Sequence, residues 1–155
     1  LEMALTIEES ARHFYEVLSK KFSDKKALFQ QLSKDERFHA LTYKKLLEKV
    51  QEPYATGGKR IETIFPTIEE RNLAEKNIQT LESLGIVDGI RKGAERAKEV
   101  SDLKSALEKS VQQEKDTLLF YHNLVLCVDE EDRKEVYKII NVEINHLYKI
   151  QHITI

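Results

Sequence analysis

The sequence predicts an all-α fold, an antiparallel four-helix bundle in which a long, partly helical crossover joins the second helix to the third. Charged residues make up 34% of the chain, and both signs are interspersed along its length. Only five Gly and two Pro residues interrupt its 155 residues. Long solvated helices have such a composition, whereas a β fold needs many more turn residues. The length suits one domain, predicted over residues 1–155.

The first third of the chain predicts two helices. Apolar residues recur at helical spacing from residue 5 to about residue 20, which predicts the first helix. Ser23-Asp24 predicts a turn, and the second helix follows over about 25–50 and stops near Pro53. Two helices with so short a joint are expected to pack as antiparallel neighbours.

The crossover is predicted over residues 51–101, the least regular part of the sequence. Thr67 and Glu70 have the spacing of a capping box and predict a helix over 68–84. Gly85 follows directly and is predicted to end this helix. A second short helix is predicted over about 87–99.

The last third of the chain predicts a second helix pair. Ser101-Asp102 can cap a third helix that runs to about residue 127, and the fourth covers about 131–152. Two helices, a long connection and two more helices form a known type of bundle, the one with a single long crossover.

An internal repeat relates the two helix pairs. Residues 8–15 match residues 114–121 at an offset of 106. Each half then has a Glu-x-x-His motif on its next helix, and the two motifs are 107 residues apart: Glu36 with His39, and Glu143 with His146.

The repeat places acidic side chains and imidazoles on inward helix faces. At about 100° per residue, Glu8 shares a stripe with Ala11 and Tyr15, so its carboxylate is expected in the core. Four buried carboxylates without a counter-charge are costly, and two divalent cations would cancel their charge. Mixed nitrogen and oxygen donors suit iron, and also manganese. The predicted ligands are Glu8, Glu36, His39, Glu114, Glu143 and His146.

A single Glu-x-x-His motif is weak evidence, because such a motif also occurs by chance on solvated helices. Two copies at preserved spacing, each with an inward glutamate on the partner helix, favour the metal site. Glu9 is the competing residue on the first helix, but it lies about 100° off the stripe. Its repeat counterpart is Lys115, so Glu9 is predicted to be exposed.

These motifs resemble the rubrerythrin-type, ferritin-like di-iron carboxylate proteins, in which each half has a Glu, an aromatic pair and then Glu-x-x-His. The resemblance covers nearly the whole chain, is weakest over 51–101, and assigns the same six ligands to two iron ions. It implies a non-haem oxidoreductase that reduces hydrogen peroxide or O2, or oxidises Fe2+.

The sequence departs from rubrerythrins proper in two respects. They carry an additional glutamate on the third helix, one turn from the ligand. In this sequence the residues one turn before and one turn after Glu114 are Val111 and Thr117, so that glutamate is absent. They also carry a cysteine-ligated rubredoxin domain, which this sequence lacks, so an external electron donor protein is expected.

Two tyrosines are predicted to support the ligands. Tyr15 and Tyr121 each lie two turns from a predicted ligand glutamate, so each phenol can donate a hydrogen bond to a carboxylate across the bundle. The alternative is that both are ordinary core aromatics. Three histidines fall off the ligand stripes and are expected at the surface or in the general core: His13, His122 and His152.

Composition excludes some functions and leaves others open. A net charge of -2 with interspersed signs does not predict nucleic-acid binding, and no apolar run predicts a membrane span. The single cysteine, Cys127, cannot form an internal disulfide, which favours the cytoplasm. A homodimer is expected by analogy with ferritin-like bundles. Two alternatives are a non-catalytic metal-binding or oxygen-responsive bundle, and a partner-binding bundle with a vestigial site.

Overall fold

The computed structural model describes residues 1–51 and 66–153, with side chains described for all of them except residues 50 and 51. These residues form α-helices and two single-turn 3₁₀ helices, at Ser23–Lys25 and Val125–Cys127, and contain no strand. The all-α prediction is therefore confirmed. The helices are α1 (Glu2–Lys21), α2 (Lys26–Gln51), α3 (Ile68–Ser83), α4 (Ile86–Arg91), α5 (Gly93–Lys98), α6 (Leu103–Leu124) and α7 (Glu130–Gln151).

Helices α1, α2, α6 and α7 form the bundle. Asp35 near the start of α2 meets His146 near the end of α7, and Lys49 near the end of α2 meets Asp132 at the start of α7. These two helices are therefore antiparallel. Since α1 is antiparallel to both α2 and α6, α2 and α6 are parallel. The crossover must then return over the length of the bundle, about 30 Å for a 22-residue helix.

Two apolar clusters lie toward opposite ends of the bundle. One includes Ile7, Tyr43 and Ile140, and the other includes Phe14 and Leu32. Burial of each such side chain stabilises the fold by about 1.5–3 kcal/mol. On every bundle helix the predicted ligand positions fall between the residues of the two clusters, so the candidate site lies near the middle of the core.

The crossover begins, in its described part, with the predicted capping box. Glu70 N–H donates to Thr67 Oγ1 at 3.1 Å, and Thr67 N–H donates to Glu70 Oε2 at 2.8 Å. Gly85 has φ +72°, the left-handed conformation that stops α3. The helix predicted over 68–84 is confirmed to within one residue. The predicted stop of the second helix near Pro53 lies outside the described residues.

The single short helix predicted over 87–99 is wrong, because Lys92 separates α4 from α5. Ser10 on α1 provides the reason. Its hydroxyl donates to the carbonyls of Ile90 and Arg91 at 2.7 and 2.8 Å, and it accepts from Gly93 N–H at 3.1 Å. A side chain about 80 positions away thus satisfies backbone groups that a continuous helix would have paired internally.

Gly93 allows α5 to pack directly on α1. A Cβ atom at Gly93 would lie 2.8 Å from the carbonyl oxygen of Ser10 and 3.2 Å from Phe14 Cβ. Only glycine fits this contact without a shift of backbone.

Among the described helices, none combines the length and apolar character that crossing a membrane requires.

Candidate metal centre

All six predicted ligands lie together in the middle of the bundle. Helices α1 and α6 each supply a glutamate, while α2 and α7 each supply a Glu-x-x-His pair. None of the six has more than 3% of its surface exposed. Their exposed fractions are 0% for Glu8, 1% for Glu36, 3% for His39, 2% for Glu114, 0% for Glu143 and 0% for His146.

Glu36 and Glu143 lie between the two histidines. His39 Nδ1 is 2.9 Å from Glu143 Oε1 and 3.1 Å from Glu36 Oε2. His146 Nδ1 is 2.9 Å from Glu143 Oε2 and 3.2 Å from Glu36 Oε1. Each carboxylate therefore offers one oxygen to each histidine, so both glutamates could contribute to two metal ions at once.

Glu8 and Glu114 each approach one histidine only. Glu8 Oε2 lies 3.6 Å from His39 Nδ1, and Glu114 Oε2 lies 3.9 Å from His146 Nδ1. The donors thus fall into two groups of four, each with ligand atoms within 4.8 Å of one another, and the groups share Glu36 and Glu143. A terminal glutamate, a histidine and two shared glutamates form each group.

Three buried carboxylate oxygens of this cluster lack a hydrogen-bond partner among the described residues: Glu8 Oε2, Glu36 Oε1 and Glu143 Oε1. Two of them lie close to an imidazole nitrogen, yet each Nδ1 carries at most one proton and faces three carboxylate oxygens. Buried carboxylate oxygens without partners are costly, and a divalent cation supplies the missing interaction. The residues present therefore fit a pair of metal ions.

Three of the four carboxyl groups have a raised pKa when no metal is bound. Burial raises the pKa of Glu8 and Glu36 above its usual range. Burial, with the nearby charge of Glu143, raises the pKa of Glu114 to about 8. Metal binding must displace protons from these groups, so metal affinity and proton release are coupled at this site.

For the two imidazoles, burial alone would lower the pKa, but the neighbouring carboxylates reverse this effect. Burial opposes protonation of His39 and His146, but contacts with buried carboxylates, including Glu143 and Glu36, outweigh it and raise the pKa of both rings. Burial also opposes ionisation of Glu143, but its hydrogen bonds to His146 and His39 outweigh that and lower its pKa. In the metal-free protein, imidazolium groups thus neutralise part of the carboxylate charge that metal ions would otherwise neutralise.

The sequence model of the rubrerythrin family matches residues 1–115, about three quarters of the chain. The chain belongs to the rubrerythrin family. The matched part contains Glu8, Glu36, His39 and Glu114, and it ends before α7, so the positions of Glu143 and His146 rest on the geometry described above. Comparisons with curated proteins and with solved structures gave no match.

In this rubrerythrin-family site, each terminal glutamate is hydrogen-bonded by the tyrosine of the other repeat half. The Tyr15 phenol donates to Glu114 Oε1, and the Tyr121 phenol donates to Glu8 Oε1. Burial raises the pKa of both phenols, which keeps them protonated as donors. The expected hydrogen bonds are present, and a role of the tyrosines in catalysis stays a prediction.

Asp35 is a functional candidate that the sequence did not predict. Its Oδ2 lies 3.2 Å from His146 Nε2, on the ring edge opposite the ligand cluster. A carboxylate in that position fixes the orientation of a metal-binding imidazole. The only sequence signal is that an acidic residue precedes Glu-x-x-His in the first half, whereas Val142 stands at that position in the second half.

Residues rejected as ligands lie away from the cluster. Glu9 is half-exposed and forms an ion pair with Arg12 at 2.8 Å. Cys127 is half-buried and packs against one of the apolar clusters. The three histidines predicted to lie off the ligand stripes are all exposed: His13, His122 and His152.

Proposed function

We propose that this protein is a di-iron carboxylate oxidoreductase of rubrerythrin type. It reduces hydrogen peroxide or O2, or oxidises Fe2+ at the same centre, with electrons from an external donor protein. The observation that carries the proposal is the pair of four-donor groups that share Glu36 and Glu143. Two neighbouring metal sites with bridging carboxylates suit a reaction in which two electrons are transferred together.

The donor set favours iron, and manganese fits the same ligands. His39 and Glu8 would hold one ion, His146 and Glu114 the other, and both shared glutamates would hold the pair. Two bound iron ions supply two one-electron redox changes, which match the two electrons needed to reduce peroxide to water.

The surrounding residues provide protons and exclude water. Tyr15 and Tyr121 each hold a phenolic proton against a terminal glutamate inside the core, and these protons would be available to a reaction at the proposed centre. The near-complete burial of all six ligands strengthens electrostatic interactions and limits side reactions with solvent. Asp35 contacts the His146 ring at 3.2 Å and fixes its orientation.

To test the proposal, the protein is loaded with Fe2+ under anaerobic conditions and its iron content is measured. Oxidation of the bound iron by peroxide and by O2 is then measured. Turnover is followed with and without an added reductant. Wild type should bind two ions and turn over repeatedly only with the reductant. Glu9→Ala is a matched control, because Glu9 is adjacent to Glu8 but lies outside the cluster. Failure of wild type to bind iron would refute the proposal.

A non-catalytic metal-binding or oxygen-responsive bundle is the second candidate. The complete burial of Glu8, Glu143 and His146 favours it, because metal ions in such a place can stabilise a core without any turnover. Stoichiometric iron binding without oxidation by either oxidant would support this candidate. The cytoplasmic location, inferred from the single cysteine, and the homodimer, inferred from the family resemblance, remain proposals.

A further inference from the structure

A small cavity reaches the candidate metal centre from the surface between α2 and α7. It has a volume of about 100 Å³, and the ligand His39 forms part of its wall. Phe38 and Thr42 on α2 and Ile139 and Val142 on α7 line it further. Two larger surface grooves, of about 510 and 480 Å³, have no predicted ligand in their linings.

The two histidines differ in what lies behind them. Asp35 closes the outer edge of the His146 ring, which has no exposed surface. The repeat-equivalent residue behind His39 is Val142, which has no polar group to offer. Within the described part of the chain, His39 Nε2 has no hydrogen-bond partner, and His39 is the most exposed of the six ligands at 3%.

We propose that the α2–α7 cavity is the route by which metal ions and small oxidants reach the centre, with Val142 as the residue that controls passage and the His39 half as the side reached first. The inference rests on the proposed function, because it assumes that metal binds at the ligand cluster. In the other half of the site, the position equivalent to Val142 holds Asp35, which contacts His146 instead.

The size and rim of the cavity define what can pass. A volume of about 100 Å³ holds roughly three water molecules. Hydrogen peroxide, O2 and a partly hydrated metal ion fit, whereas substrates that need pockets of about 300 Å³ or more do not. At the rim, Lys138 Nζ lies 2.6 Å from Glu135 Oε1. This ion pair leaves no uncompensated charge that would repel a cation or attract it strongly.

The test measures two rates, Co2+ uptake by metal-free protein and Co2+ release to a chelator. The visible absorption of the bound ion reports both. Val142→Phe should slow both by on the order of tenfold, which corresponds to about 1.4 kcal/mol of added barrier. The Co2+ affinity should stay unchanged, because an obstacle on a route alters both rates equally. Val142→Ala should speed both.

Two further variants separate passage from general effects. Ile144→Phe introduces the same ring two positions along α7 at a half-exposed site outside the cavity lining, and its rates should equal those of wild type. Lys138→Gln leaves Glu135 unpaired at the rim. It should speed Co2+ uptake at low salt and lose this effect at high salt, since the attraction is screened.

Wild-type uptake and release rates in both Val142 variants, with two Co2+ bound, would overturn the inference while leaving the proposed function intact. A changed affinity without matching changes in the two rates would also overturn it, because it would show that Val142 acts on the ligands. Absence of Co2+ binding in wild type would instead overturn the proposed function, and this inference with it.

Discussion

Glu36 and Glu143 face each other between the two histidines, and each turns one oxygen toward His39 and the other toward His146. The two residues come from equivalent positions in the repeat. Two helix pairs related by pseudo-symmetry therefore produce two donor groups related by pseudo-symmetry. The terminal glutamates do not share this position. Each of them belongs to one group only.

Loss of a shared glutamate should therefore have a different effect from loss of a terminal one. Glu36→Ala and Glu143→Ala each remove a ligand from both groups, so metal content should fall well below one ion per chain. Glu8→Ala and Glu114→Ala each impair one group, so content should fall toward one. Elemental analysis after anaerobic loading would measure this. Equal losses in all four variants would contradict the assignment of bridging and terminal roles.

Removal of the tyrosine hydroxyls should weaken the site without removing a ligand. Tyr15→Phe leaves Glu114 Oε1 buried without its donor, and Tyr121→Phe does the same to Glu8 Oε1. Each change should lower the free energy of unfolding by about 1–3 kcal/mol. Metal affinity should fall by roughly 10–100-fold. Chemical denaturation and metal titration would measure the two effects.

Tyr137→Phe is the control for the tyrosine variants, because Tyr137 is half-exposed on α7 and its side chain makes no hydrogen bond among the described residues. Its stability and metal affinity should match those of wild type. If the two buried variants behaved like this control, the tyrosines would be ordinary core aromatics.

Two glycines of the crossover should respond in opposite ways to the same substitution. Gly93→Ala forces a Cβ atom to within 2.8 Å of a backbone oxygen of α1 and should destabilise the fold by about 1–3 kcal/mol. Gly89→Ala meets nothing closer than Arg96 Nη1 at 3.7 Å and lies within α4, so it should stabilise the fold by roughly 0.5–1 kcal/mol. Equal effects in thermal unfolding would contradict the close packing of α5 on α1.

The sequence predicted this cluster of glutamates and histidines because a repeat and helical periodicity can both be identified without knowledge of tertiary contacts. Glu8, Glu36 and Glu143 could be assigned to inward faces from spacing alone. Asp35 could not, since its function depends on His146, which lies on another helix. The break at Lys92 could not be predicted either, because Ser10 on α1 supplies the hydrogen bonds that make it favourable.

The stability of the metal-free protein should fall as pH rises from about 5 to 8. Burial raises the pKa of Glu114 from 4.5 to about 8, so over this range the folded protein binds more protons than the unfolded chain. The free energy of unfolding then decreases with pH. Above pH 6.5 the raised pKa values of His39 and His146 act in the same direction, since only the unfolded chain loses those protons.

Thermal unfolding of metal-free protein at several pH values would measure this dependence, with an expected slope of about 1.4 kcal/mol per pH unit for each proton. Glu114→Gln should reduce the slope, because it removes one of the titrating groups. Metal-loaded protein should show the reverse trend, since protons compete with metal at low pH. A metal-free protein whose stability rose over this range would contradict the raised pKa values.

Thr117 bears on the choice between peroxide and O2. It lies on α6 one turn beyond Glu114 and is 3% exposed. With Val111, it is one of the two adjacent-turn positions at which the additional glutamate of rubrerythrins proper is absent from this chain. That glutamate is associated with a metal centre that changes coordination between redox states. Without that glutamate, the site keeps a symmetric set of four carboxylates and two histidines. We therefore expect a weaker preference for peroxide over O2 than rubrerythrins proper show.

Thr117→Glu should raise the ratio of the oxidation rate with peroxide to that with O2, by on the order of tenfold, or about 1.4 kcal/mol in relative barrier. Thr117→Gln is the matched control, because it adds similar volume without a carboxylate and should leave the ratio unchanged. Stopped-flow oxidation of Fe2+-loaded protein by each oxidant would measure both. A strong peroxide preference in wild type would show that the glutamate is not what sets selectivity, since the preference would then exist without it.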